Sequence, residues 1–269
     1  MLKTGAILLS ALLLAGGSVV FANSGESERE IRYYDTAAVT YNETAESGTV
    51  ENVTINYTTR TVTPYSLAVR CPAYDYAPAI GACAAVGGGN LIGFYDRYDE
   101  DLIPNHTSGT PVGTTYIYSI QDAAVRTVID SLYSYMGSSN GTTEAQFKNG
   151  IVNFCKDKGH TVTYTSCMQG SSFSYAKAQT YLKANQPIVL FLSGYNVADI
   201  VESSNKDSLT RYTSEANHIM IAFGYKIYVY DGTTYNYLSV SSGILGYASG
   251  LYNINYNTKI NNALAVNIS

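Results

Sequence analysis

Tryptophan is missing from this 269-residue chain, and charge is scarce: Lys and Arg number 16, Asp and Glu 21, together 14% of residues. The formal net charge is −5 and no basic stripe occurs, which argues against a nucleic-acid partner. Only three histidines are present, none clustered with cysteine, and no cysteine pair has zinc-finger spacing, so neither a structural metal nor a cofactor is expected. Beyond residue 22 no stretch is apolar enough to span a bilayer, and no internal repeat is found.

Tyrosine is what the chain has in excess: 26 residues, with much Thr, Ser and Asn, a composition suited to strands and wet loops. Lys3 precedes an apolar run from Ala6 to Phe21, with Val20 and Ala22 at the −3 and −1 positions of a cut. Residues 1–22 therefore read as a secretory signal peptide, and the exported chain, secreted or at the cell surface, begins near Asn23. Losing Lys3 takes the formal charge to −6. Export permits disulfides among Cys71, Cys83, Cys155 and Cys167; Cys155 with Cys167 could close a small loop, and Cys71 with Cys83 is another pairing. Asn-x-Ser/Thr sequons at Asn42, Asn52, Asn56, Asn105, Asn140 and Asn267 matter only in a host that glycosylates its exported proteins.

Residues 23–47 are polar and charged and read as a flexible leader or short pro-segment. Alternation from Thr49 to Val69 predicts one or two strands, completing a leader over 23–69 ahead of a main domain over 70–269. Cys83 then opens an apolar, helix-like run after the turn Tyr76–Gly81. Ala84, Gly87, Gly88, Leu91, Tyr95 and Tyr98 share one stripe of that run. Each glycine inside a helix costs roughly 1 kcal/mol against alanine, so Gly87, Gly88, Gly89 and Gly93 predict a helix docked closely on its neighbours. The acidic run Asp96, Asp99, Glu100, Asp101 lacks calcium-loop spacing and reads as a solvated helix end.

Further helices are expected over Tyr116–Met136, after the capping box Thr143–Gln146, and over Ser174–Ala184. Ile188–Leu192 reads as a strand buried on both faces, and the polar segment Gly194–Asn217 as a lid or mobile loop. Strands come next over Ile219–Tyr230, Tyr235–Val240, Leu251–Tyr256 and Leu264–Ile268, with a hairpin turn at Asp231-Gly232. Helices before strands make an α+β layout with an antiparallel sheet.

A thiol at a helix start sits by unsatisfied N–H groups and the positive end of the dipole, which favours thiolate. Such a cysteine asks for a base. His106, in a Pro-Asn-His-Thr-Ser-Gly loop, and His160, at a helix exit, read as ordinary surface residues; His218 opens a strand, a rigid mount. It lies 135 residues after Cys83, within the roughly 130–150 expected between cysteine and histidine in papain-type enzymes.

Several stretches, taken in order, resemble those of a papain-fold cysteine peptidase, most nearly the C39-like group of secreted bacterial proteins. They are Gly81-Ala82-Cys83, Gly93-Phe94-Tyr95-Asp96-Arg97, Asp101-Leu102-Ile103-Pro104, Lys158–Val162, Gln186–Leu190 and His218–Tyr225, and the resemblance covers about residues 70–256. It implies a papain-like fold, a helical half carrying the cysteine helix packed on an antiparallel sheet half. It further implies Cys83 as nucleophile, His218 as general base and a peptide or protein substrate cleaved through a thioester. Two departures stand out. The oxyanion glutamine of such sites is replaced by Ala77, and the residue orienting the histidine falls on Ser242, where Asn or Asp is usual. Continuing the hairpin register from Asp231-Gly232 puts that orienting group at roughly 241–247. Two other readings compete: a binding domain on the same scaffold with an impaired site, and a plain secreted surface protein with a Cys71–Cys83 disulfide. The sequence does not set the oligomeric state.

Overall fold

The structure is a computed structural model; it describes residues 39–41, 48–67, 72–74, 81–99, 101–104, 106, 110–112, 115–117, 123–244, 249–254 and 259–269. The expected signal peptide, Cys71 and Ala77 lie outside the described residues. In chain order the elements are β1 (Thr49–Asn56), β2 (Arg60–Ser66), α1 (Cys83–Tyr95), β3 (Thr110–Val112), β4 (Thr115–Ile117), α2 (Ala123–Met136), α3 (Glu144–Lys156), β5 (Val162–Ser166), β6 (Met168–Gln169), β7 (Ser172–Phe173), α4 (Tyr175–Lys183), β8 (Ile188–Glu202), β9 (Lys206–Tyr230), β10 (Thr233–Ser241), β11 (Ser249–Asn253) and β12 (Lys259–Ile268). The class is α+β, and among the described residues every pairing between these strands is antiparallel.

The 25-residue β9 organises the main sheet. One edge pairs with β8 from Asp207 to Ala222 and then with β2 from Gly224 to Tyr230. The other edge pairs with β1 up to Thr213 and with β10 from Ile221 onward, so residues 214–220 are left between the two ladders. Because β10 pairs β11 and β11 pairs β8, the ladder returns on itself, and β12 and β5 extend the sheet beyond β8.

Two local signals act as expected. Thr143 and Gln146 form a reciprocal capping box at the start of α3. Asp231 and Gly232 both take positive φ (46° and 83°), the turn that matches the twist of a hairpin. Asp231 also accepts from the N–H groups of Thr58 and Thr59 and so ties the β1–β2 connection to that turn.

Several expectations are corrected. Residues 194–217 are not a loop: β8 and β9 run on as one hairpin to the pair Glu202↔Asp207, with β1 on its flank. The helix expected from Tyr116 starts at Ala123, and Thr115–Ile117 pairs with Thr110–Val112 instead. Cys155 and Cys167 form no disulfide; both are buried thiols. Within the stretch read as a flexible leader, Tyr41 is buried and bridged to Thr142.

All thirteen residues of α1 are buried, as suits a helix apolar on every side. Its glycines let neighbours close in. A Cβ on Gly89 would meet Ile129 Cγ1 at 2.6 Å, one on Gly88 would meet Ile151 Cδ1 at 3.0 Å, and one on Gly87 would meet Ile219 Cγ2 at 3.3 Å. Inside the helix Asn90 clamps the incoming chain, its Oδ1 accepting from Tyr74 N–H at 2.7 Å and its Nδ2 donating to Tyr74 O at 3.2 Å.

Candidate active site

Cys83 is the first residue of α1, 6% exposed, with Ala82 as N-cap and no side chain capping the helix start. The first N–H groups of a helix have no intrahelical acceptor, so the backbone around Cys83 points donors outward from α1. One turn on, Gly87 rests against Ile219, the residue after His218. Val86 lies close under Gly243, the residue after Ser242. The contact between α1 and the sheet therefore sets the N-terminal turn of α1, the middle of β9 and the exit of β10 against one another.

His218 sits on the second edge of β9 between the end of β1 pairing and the start of β10 pairing, where no ladder runs among the described residues. On its other edge it pairs with Leu192. The ring is 2% exposed and lies against Tyr195, centroids 4.9 Å apart at 34°. Nε2 is 2.6 Å from the main-chain oxygen of Ser242. A carbonyl can only accept, so Nε2 carries the proton, and in the neutral imidazole Nδ1 is the basic nitrogen.

Ser242 thus meets the imidazole through its backbone; its hydroxyl accepts from Ile244 N–H at 3.1 Å. The register sum of 463 set by the Asp231-Gly232 turn holds from Thr233↔Tyr230 to Ser239↔Gly224. A bulge between Ser239 and Val240 then shifts it by one, to Val240↔Ala222. Such an extra residue bends a strand and re-aims the side chains beyond it.

The other histidines fall elsewhere. His106 is not a surface residue: its Nδ1 lies 2.9 Å from Asp96 Oδ2, both side chains are almost wholly buried, and Asp96 Oδ1 accepts from Ile103 N–H. That pair fastens the chain after α1 onto its C-terminal end. His160 reaches Asp99 at 3.4 Å. The remaining described cysteines are poor nucleophiles. Burial pushes the thiols of Cys155 and Cys167 up to about 12, only partly opposed by Lys158 at the first and by a backbone hydrogen bond and Lys177 at the second.

Tyr195 against the ring was not foreseeable, since it carries no local motif. Among the described residues no three His, Cys, Asp or Glu side chains gather as a metal site needs, and no helix is long and apolar enough to cross a membrane. Compared with protein families, curated proteins and solved structures, the chain matches none.

Proposed function

We propose that the protein is an exported, papain-like thiol hydrolase acting on peptide-like bonds, with Cys83 as nucleophile and His218 as general base. The observation carrying this reading is the Nε2–Ser242 carbonyl bond, which makes Nδ1 the basic nitrogen of a histidine on the strand against which the Cys83 helix packs. In this mechanism Nδ1 takes the thiol proton and the sulfur attacks the substrate carbonyl carbon. The N–H groups of the first turn of α1 face the developing oxyanion. The imidazolium then protonates the departing amine, and water, deprotonated by the same nitrogen, cleaves the thioester.

A second reading, a binding domain with an impaired site, is favoured by two details. A neutral carbonyl holds the ring where a carboxylate would stabilise the imidazolium better, and Cys83 is only 6% exposed. The deciding experiment is turnover of a fluorogenic peptide mixture by the exported protein and its Cys83→Ser and His218→Ala variants. The hydrolase reading expects a loss of about 10³-fold or more in each variant. Equal, background-level rates in all three would leave the binding-domain reading.

A further inference from the structure

We propose that Lys148 and Asn262 join through an amide bond that the protein makes itself, with Glu144 as proton carrier, fastening α3 to the C-terminal strand β12. The proposal stands apart from the hydrolase reading and uses none of its residues.

Lys148 is 6% exposed, and lysine is seldom buried so far unless it is paired. Its Nζ donates to Glu144 Oε1 at 3.1 Å, one helical turn back. A pair at this spacing ordinarily lies in solvent and contributes little. Here the lysine side chain is covered and the glutamate is only 25% exposed.

A third residue, from near the other end of the chain, completes the cluster. Asn262 Nδ2 donates to both Glu144 oxygens at 2.9 Å. Its Oδ1 accepts from Ala263 N–H at 2.8 Å, which assigns the two ends of the amide. Glu144 Oε1 therefore touches both the lysine nitrogen and the amide nitrogen.

The fold fixes this meeting. Glu144 is the first residue of α3, whose start the Thr143–Gln146 capping box holds. Phe147, the residue before Lys148, sets its ring edge-on to Phe191, centroids 5.6 Å apart, and Phe191 is the β8 partner of Asn262. Between Ile260 and Asn262 the β12–β8 register shifts, an irregularity of the kind that re-aims a side chain.

Each part of an amide exchange has an occupant. Glu144 takes a proton from the lysine ammonium, and the freed Nζ lone pair attacks Asn262 Cγ. To do so Nζ moves from Oε1 to Cγ on the rotatable bonds of its stem. Charge develops on Oδ1, which faces Ala263 N–H. Glu144 returns its proton to Nδ2, the Cγ–Nδ2 bond breaks, and ammonia leaves. The extra proton still on Nζ passes through Glu144 to the ammonia, which departs as ammonium. A lysine ammonium and a carboxamide have become a secondary amide and an ammonium ion, with no oxidant or reductant. A simple ion pair would also tie α3 to β12. What sets this cluster apart is one carboxylate on both the attacking and the leaving nitrogen, with a separate donor on the carbonyl oxygen.

The test is the mass of the full exported chain, followed by tandem mass spectrometry of its tryptic peptides. Wild type is expected to be lighter than its amino-acid sequence requires by one ammonia, to resist trypsin after Lys148, and to yield a branched peptide joining residues 148 and 262. Lys148→Arg should show the full mass and no branched peptide. Glu144→Gln, shown folded by circular dichroism and sampled over time after synthesis, should form the bond at least about a hundredfold more slowly. Full mass with linear peptides at both positions in wild type overturns the proposal, and that measurement needs no variant to fold. Loss of ammonia with Lys148 still cut by trypsin overturns it too, because an asparagine has then cyclised alone. Equal rates in wild type and Glu144→Gln overturn the assignment of Glu144. Cys83→Ser should link as wild type does, so failure of the bond and failure of the hydrolase reading are seen separately.

Discussion

Replacing Gly89 with alanine sets two known effects against each other at one position. In an open helix the change stabilises by about 1 kcal/mol, because alanine loses less backbone entropy. Here the new Cβ would stand 2.6 Å from Ile129 Cγ1 and 3.2 Å from its Cδ1. The comfortable carbon–carbon separation is roughly 3.5–4.0 Å, so α1 must retreat from α2 by close to an ångström or Ile129 must leave its rotamer. Overpacking of that kind costs about 1–3 kcal/mol, so the net effect is a destabilisation of about 0–2 kcal/mol. Ile129→Ala alone is expected to cost about 2–5 kcal/mol as a cavity. In the double variant the two changes fit together, recovering about 1–3 kcal/mol of coupling. Urea unfolding of the four proteins measures this cycle. A Gly89→Ala protein about 1 kcal/mol more stable than wild type, with no coupling to Ile129, would refute the claim that α1 is glycine-rich so that it can dock closely.

Three further outcomes are expected. Ser242→Ala should leave turnover within about threefold, since the main-chain oxygen orients His218 while the hydroxyl receives Ile244 N–H; a hundredfold loss would assign the hydroxyl that role. Cys155 and Cys167, their thiols pushed up to about 12 chiefly by burial, should resist alkylation near pH 8 in the folded protein and react once urea unfolds it, as mass spectrometry would show. Asp207 contributes to acid stability. Burial pushes its carboxyl up, but hydrogen bonds from Tyr230, Arg60, Ser203 N–H and Tyr57 outweigh that and hold it below the ordinary value. A carboxyl depressed on folding stabilises above its unfolded value of about 4 and loses that contribution as pH falls through the folded value. The stability gap between wild type and Asp207→Asn, followed by urea midpoints, should therefore shrink as pH drops from about 5 toward 2; a constant gap would contradict the assignment.

Legibility in the sequence tracked the range of the interaction involved. The capping box of Thr143 and Gln146 and the Asp231-Gly232 turn are set by neighbours in the chain, and both formed as read. The glycine-rich helix after Cys83 was legible because its cost demanded a packing reason, which Ile129, Ile151 and Ile219 supply. The outer half of the β8–β9 hairpin was hidden because its polar residues look solvated; it is ordered by β1 and β11, partners whose pairing no local pattern announces. His106 gave no sign of burial, since Asp96 receives it only after the chain folds back on α1. At the candidate site, the region containing Ser242 could be placed by register. That its carbonyl rather than its hydroxyl meets His218 depends on backbone geometry around a one-residue bulge, which side-chain identity does not encode.

The pairing of Cys83 with His218 is tested most directly by the pH dependence of Cys83 alkylation, read by mass spectrometry in wild type and in His218→Gln. A thiol whose proton His218 Nδ1 accepts should keep reacting well below the ordinary cysteine value of about 8.5 and lose that low-pH reactivity in His218→Gln. Superimposable profiles, both rising only near 8.5, would contradict the account.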